Sequence, residues 1–131
     1  METTPSDRII EQRVRNRIIE AVKTLAKGEA GVRSVSAVEY FEKFYDWIPY
    51  GGALPMASAL TPAERERLTE LSRLLDQACD ATPETMTADE LIATGWPRRI
   101  QLSAQEVLML MERRGRFRED REEEHPFSPP P

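Results

Sequence analysis

The sequence has very few of the side chains that build disulfides, metal centres and nucleophilic active sites. Among its 131 residues there is one cysteine, Cys79, and one histidine, His125. A single cysteine cannot form an intrachain disulfide, and a thiolate zinc site needs several cysteines or histidines. His125 stands beside Pro126 in the predicted tail, where no serine or cysteine is held against it as a catalytic pair. We therefore expect no metal, no cofactor and no catalytic residue, and predict that the protein is not an enzyme.

Long apolar runs, a leader sequence and phosphate-binding loops are also missing. No run of about 18 apolar residues is present to span a bilayer, and residues 1–6 lack the basic-then-apolar order of a signal peptide. The pair Gly51-Gly52 has neither the preceding strand nor the following lysine of a phosphate-binding loop. The sequence therefore predicts a cytoplasmic protein that does not bind membranes.

Positive charge is scarce in the middle of the chain. The net charge is −5, and residues 61–95 alone contribute three basic and eight acidic residues, which also gives −5. Neutralising nucleic-acid phosphates requires a basic face. A helix-turn-helix in the last third is disfavoured as well, because the predicted connection over residues 95–103 is long and the arginines of residues 113–118 come at the end of the helix. We do not expect nucleic acid as a partner.

Helix starts are marked by four repeats of one capping pattern. In the pattern Ser/Thr-x-x-Glu, the hydroxyl accepts the N–H of the third helical residue and the glutamate accepts the N–H of the capping residue. Apolar residues at helical spacing follow each repeat. The four pairs are Ser36 with Glu39, Thr61 with Glu64, Thr87 with Glu90, and Ser103 with Glu106.

The apolar periodicity predicts helices over residues 5–27, 36–48, 61–79, 88–94 and 103–114, with a turn at Trp96-Pro97. No strand pattern is present. We predict an all-α fold, a single small bundle of four to five helices in residues 1–118, followed by a charged, proline-rich, disordered tail in residues 119–131. A first helix longer than its neighbours would leave apolar residues near Ile9 and Ile10 uncovered, which suggests homodimerisation. Cys79 is expected to be an inert buried thiol.

Aromatic residues are concentrated in one short segment. Six of the nine lie between residues 40 and 50, more than one helix face can bury. They either fill the centre of the bundle or form an exposed surface beside the Gly51-Gly52 loop, where tyrosine and tryptophan favour binding. The candidate surface consists of Tyr40, Phe44, Trp47, Tyr50, Gly51 and Gly52.

Three carboxylates on the same helix, Glu39, Glu42 and Asp46, follow one another at steps of three and four residues. They share a helix face and are suited in principle to Mg²⁺ or Ca²⁺. A solvated polar face explains them more simply, because Lys43 lies one turn from Glu39 and no second set of ligands is marked. We predict no metal site here.

Our leading hypothesis is a non-enzymatic module for protein–protein interaction or self-association that uses the aromatic segment and the loop after it. One alternative is a small-ligand pocket between the aromatic helix and the Gly51-Gly52 loop. A second alternative is a nucleic-acid-linked regulator. The identity of the partner or ligand, the oligomeric state and the biological process do not follow from the sequence.

Overall fold

A computed structural model describes residues 4–54, 58–83 and 86–124 of the chain. These residues contain six helices and no strand, which confirms the predicted all-α bundle. The helices are α1 (Asp7–Ala26), α2 (Glu29–Ser34), α3 (Ala37–Tyr45), α4 (Pro62–Ala81), α5 (Ala88–Ala93) and α6 (Trp96–Arg114). None of the helices in the described residues has the combined length and apolarity needed to cross a bilayer.

Three helices of about 30 Å form the centre of the bundle. α6 packs along both α1 and α4, whereas α2 and α3 pack on α1, and α5 joins α2 to α6. One continuous apolar core lies between them, because each long helix presents a single stripe of apolar residues. Its fully buried members include Ile18, Val22, Leu25, Leu68, Leu71, Leu75, Ile100 and Met111.

Local capping chemistry explains where most helices begin. At Thr61 and Thr87 both halves of the predicted capping box are formed, with N···O distances of 3.0–3.1 Å. Ser36 accepts the N–H of Glu39 at 3.0 Å, so α3 also begins at its predicted cap. Ser6 caps α1 by accepting the N–H of Ile9.

The fourth predicted capping box is wrong. Ser103 and Glu106 lie inside α6, which begins at Trp96. The predicted turn at Trp96-Pro97 is the first turn of this helix, where proline is tolerated because no intrahelical donor is required. Gly95 adopts a left-handed conformation with φ of 84°, which lets the chain reverse over Thr94-Gly95 alone. The connection to α6 is therefore much shorter than the sequence predicted.

The length argument for homodimerisation is also wrong. α1 has 20 residues, the same number as α4 and one more than α6. The predicted excess of the first helix over its neighbours is therefore absent. Ile10 is exposed to 45%, and homodimerisation stays a prediction.

The chain after α6 runs back along α1 toward its beginning. Asn16 donates to the carbonyl of Phe117 at 2.8 Å, and Gln12 donates to the carbonyls of Arg118 and Arg121 at 2.9 and 2.8 Å. Residues 119–124, which the sequence assigned to the disordered tail, thus lie on α1 in the structure. Residues 125–131 of the predicted tail lie outside the described residues.

Candidate functional site

The predicted aromatic surface is divided between the core and the exterior. Tyr40 and Phe44 are buried, with exposed fractions of 0% and 1%. Both point into the bundle because they are one helical turn apart on the inner face of α3. This placement removes them from the candidate surface. Trp47 and Tyr50 are exposed to 36% and 59%, so the outer part of the predicted surface remains accessible.

The loop after α3 is attached to α4 through two carboxylates. Asp76 accepts the hydroxyl of Tyr45 at 2.7 Å and the N–H of Gly51 at 3.0 Å. Asp80, one turn further along α4, accepts the hydroxyl of Tyr50 at 2.8 Å. These hydrogen bonds hold the rings of Tyr45 and Tyr50 against the end of α4, with the two ring centres 6.3 Å apart.

The two glycines of the loop after α3 adopt backbone conformations that the turn requires. Gly51 and Gly52 have φ of 96° and 78°, a region that strongly favours glycine. A Cβ atom at Gly52 would lie 3.4 Å from the hydroxyl of Ser72, so the loop approaches α4 closely. Gly51 and Gly52 therefore shape the turn that carries Tyr50, and Gly51 is itself exposed.

A groove of about 640 Å³ lies beside this loop, between α3, the end of α4 and the connection to α5. Its lining is mainly apolar, and Val38 on the rim is 48% exposed. Two of the described lining residues carry charge, Glu42 and Asp80, and both are acidic. The complete described lining is Ala37, Val38, Phe41, Glu42, Tyr45, Cys79, Asp80, Thr82, Pro83, Met86 and Leu91.

Cys79 lines the groove and is half-buried, whereas the sequence predicted a buried thiol. Burial raises the pKa of Cys79. The hydrogen bond with Tyr45 lowers it in part, and the charges of Asp76 and Asp80 add smaller increases. The thiol is therefore protonated at neutral pH and is a weak nucleophile. Cys79 therefore contributes a polarisable apolar side chain to the groove and not a reactive thiolate.

The acidic face of α3 does not come together with other ligands. Among residues 4–54, 58–83 and 86–124, no three histidine, cysteine, aspartate or glutamate side chains are grouped so that they could hold a metal ion. Glu42 makes no side-chain hydrogen bond or ion pair within this part of the chain. The charge of Glu42 is thus available at the rim of the groove.

A buried charged cluster at the other end of the bundle is the main feature that the sequence did not predict. Arg15 and Glu64 are both fully buried and form an ion pair at 2.7 Å. Arg15 also donates to the carbonyls of Met111 and Gly115 at 3.0 and 2.6 Å. Glu64 accepts Arg114 at 2.6 Å in addition to its capping bond to Thr61.

Phe117 completes this cluster. It lies against the guanidinium groups of Arg8, Arg15 and Arg114, with distances of 5.0–5.8 Å from the ring centre. The charged groups at the centre of the cluster are thus paired within the chain, which is the arrangement that stabilises a buried ion pair. We assign a structural role to this cluster. Its only sequence signal was the helical spacing of Arg15 with Ile18 and Val22.

A second, shallower groove of about 550 Å³ follows the outer face of α6. Leu102 and Met109 are strongly exposed there, at 66% and 64%. The charges around them are mixed, since Arg67 and Arg113 line the groove together with Glu106. The exposed apolar residues of this face are thus surrounded by charges of both signs.

The arginines at the start of α6 are engaged within the chain. Arg98 lies 3.7 Å from the carboxylate of Glu29, and the guanidinium of Arg99 lies 4.2 Å from the ring centre of Trp96. Only Thr94 and Gly95 separate α5 from α6, at whose start these arginines lie. Acidic residues nearby on α2 and α5 offset the positive charge of these arginines. Phosphate recognition instead requires a face that is basic overall.

Comparisons with known proteins give no relative from which a function could be transferred. No protein-family model matches the chain, and no significant match is found among curated proteins or solved structures.

Proposed function

We propose that the protein is a non-enzymatic, cytoplasmic protein-binding module, and that the groove between α3 and the end of α4 is its binding site. The observation that carries the proposal is the concave apolar lining, with Val38 exposed on its rim and the accessible ring of Tyr50 against the lining residues Tyr45 and Asp80. Aromatic and aliphatic side chains around a depression are typical of binding hot spots.

Release of water from the apolar lining of the groove favours binding of a partner. Phe41, Tyr45 and Met86 pack partly on the core and partly line the groove, so each keeps apolar area in contact with solvent. Burying that area under a partner is favourable by about 25 cal/mol for each Å². The hydrogen bonds of Asp76 and Asp80 to the loop hold the wall of the groove in place before binding, which reduces the entropy cost of association.

A small organic ligand is the second candidate occupant. The groove volume of about 640 Å³ lies within the range of about 300–1,000 Å³ that is usual for ligand sites. The groove is open along the surface, however, and does not enclose its contents. We therefore favour a protein segment, whose contacts extend over the rim to Val38 and Tyr50.

A random-peptide selection tests the proposal without a known partner. Peptides displayed on phage are selected on the wild-type protein and then measured on two variants with matched chemistry, Val38→Gln at the groove and Leu102→Gln on α6. Both substitutions replace an exposed apolar residue by a neutral, helix-compatible one.

We expect the selected peptides to lose about fivefold or more in affinity on Val38→Gln, equivalent to about 1 kcal/mol, and to keep their affinity on Leu102→Gln. Circular dichroism of both variants checks that the fold is retained. Peptides that bind Val38→Gln as well as the wild type would remove the groove as the binding site. Loss on Leu102→Gln alone would transfer the proposal to α6.

A further inference from the structure

The charge of the groove between α3 and the end of α4 is negative, and this sign indicates the kind of partner that the groove binds. The charged residues among its described lining are Glu42 and Asp80, one on each wall. Asp76 lies one turn before Asp80 on α4, and both accept hydrogen bonds from the loop after α3. Residues 61–95, which supply one wall, carry the whole net charge of the chain.

The chain itself compensates these charges only partly. Asp76 and Asp80 accept hydrogen bonds from neutral groups, the hydroxyls of Tyr45 and Tyr50 and the N–H of Gly51. Neutral donors orient a carboxylate but do not cancel its charge. Glu42 has no side-chain partner among the described residues. The groove therefore combines an apolar lining with an uncancelled negative potential.

We infer that the occupant of the groove is a basic segment of a protein partner, one with bulky apolar side chains flanked by lysine or arginine. This inference rests on the proposed function. The apolar side chains displace water from the floor around Phe41 and Leu91, and the cationic groups lie at the rim near Glu42 and Asp80. Complementary charge of this kind raises the association rate and selects the partner.

The α6 groove provides an internal comparison for this inference. It exposes Leu102 and Met109 to a greater extent than the first groove exposes Val38. Its lining residues Arg67, Arg113 and Glu106 carry both signs of charge, and Arg67 lies 3.5 Å from Glu106. A basic segment gains less there, although the apolar area is available. Apolar exposure alone thus does not predict the same partner for both faces.

The test uses two amphipathic peptides that share one pattern of leucines and differ only in carrying lysines or glutamates between them. Each is titrated by calorimetry into the wild type, into Val38→Gln, into the double variant E42Q/D80N, and into E106Q as a matched carboxylate control on α6. We expect the lysine peptide to bind at least about tenfold more tightly than the glutamate peptide. Its affinity falls about threefold or more on E42Q/D80N and also when salt rises from about 50 to about 500 mM.

The other outcomes separate this inference from the proposed function. If both peptides bind equally and Val38→Gln weakens both, the groove is a binding site but its charge does not select a basic partner, and the inference is overturned. If the lysine peptide is insensitive to both Val38→Gln and E42Q/D80N, it binds elsewhere and both proposals fail. A loss on E106Q would place the basic partner on α6 and would likewise overturn the inference.

Discussion

The Arg15–Glu64 cluster and the groove beside α3 both bring charged side chains onto apolar surfaces, but the chain satisfies those charges to different extents. In the cluster, cations and carboxylate are buried together and each has partners within the chain. In the groove, the carboxylates are accessible and neutral donors are their only partners among the described residues. A charge that the fold cancels contributes to stability, and one that the fold leaves at the rim of a depression is available to a partner.

Removing the carboxylate of the cluster has the largest expected effect. Glu64→Ala leaves the guanidinium of Arg15 buried without its counter-charge, and also removes half of a capping box. We expect the free energy of unfolding, measured in urea, to fall by about 3–5 kcal/mol.

Glu90→Ala is the matched control, because Glu90 makes the same capping contact at Thr87 in an exposed position. Its expected loss is about 0.5–1 kcal/mol. Equal losses at the two sites would mean that the buried ion pair adds nothing beyond the cap.

Shortening the chain tests how far the structural region extends. Deletion of residues 119–131 removes the hydrogen bonds that Arg13, Asn16 and Arg17 make with Glu119 and those that link Gln12 to residues 121 and 123. We expect a loss of about 1–2 kcal/mol in urea unfolding, since these bonds are near the surface. Deletion of residues 125–131 alone is the control, with an expected change within about 0.5 kcal/mol. The domain boundary would lie at residue 118, as the sequence suggested, if both deletions were neutral.

Removing the hydroxyl groups of two tyrosines of α3 should have smaller and unequal effects on the free energy of unfolding. The hydroxyl of Tyr40 is buried without a partner among the described residues, whereas that of Tyr45 donates to Asp76. Tyr40→Phe should leave the free energy of unfolding unchanged or raise it by up to about 1 kcal/mol, and Tyr45→Phe should lower it by about 1 kcal/mol. Chemical denaturation of both variants measures the difference. The reverse order would mean that the hydroxyl of Tyr40, and not that of Tyr45, makes the stabilising hydrogen bond.

The sequence predicted the helices well because the signals for starting a helix are local. Thr61 and Thr87 specify their helices with residues three positions away. The same pattern at Ser103 predicted a helix start wrongly. A Ser-x-x-Glu pair inside a helix has the same sequence as a capping box, and only the structure of the preceding turn distinguishes the two. Proline after Trp96 was interpreted as a break, although the first turn of a helix accepts it.

The site was predictable only in part. Aromatic density identified Trp47 and Tyr50, because it exceeds what a helix can bury. The groove itself depends on Cys79, Met86 and Leu91, which come from three separate stretches, and no local pattern joins them to α3. No local pattern in the sequence identifies the partners of Arg15. Its burial depends on Glu64 and on the carbonyls at the end of α6, which only the tertiary fold brings together.

The most direct test of the account is a map of backbone amide chemical shifts as the lysine peptide is added to the ¹⁵N-labelled protein. We predict that the shifts concentrate at Val38, Phe41 and Tyr45 on α3 and around Cys79 and Asp80 on α4, while Arg15 and Glu64 do not change. Shifts centred on Leu102 and Met109, or spread through the Arg15–Glu64 cluster, would contradict the division between a binding groove and a structural cluster.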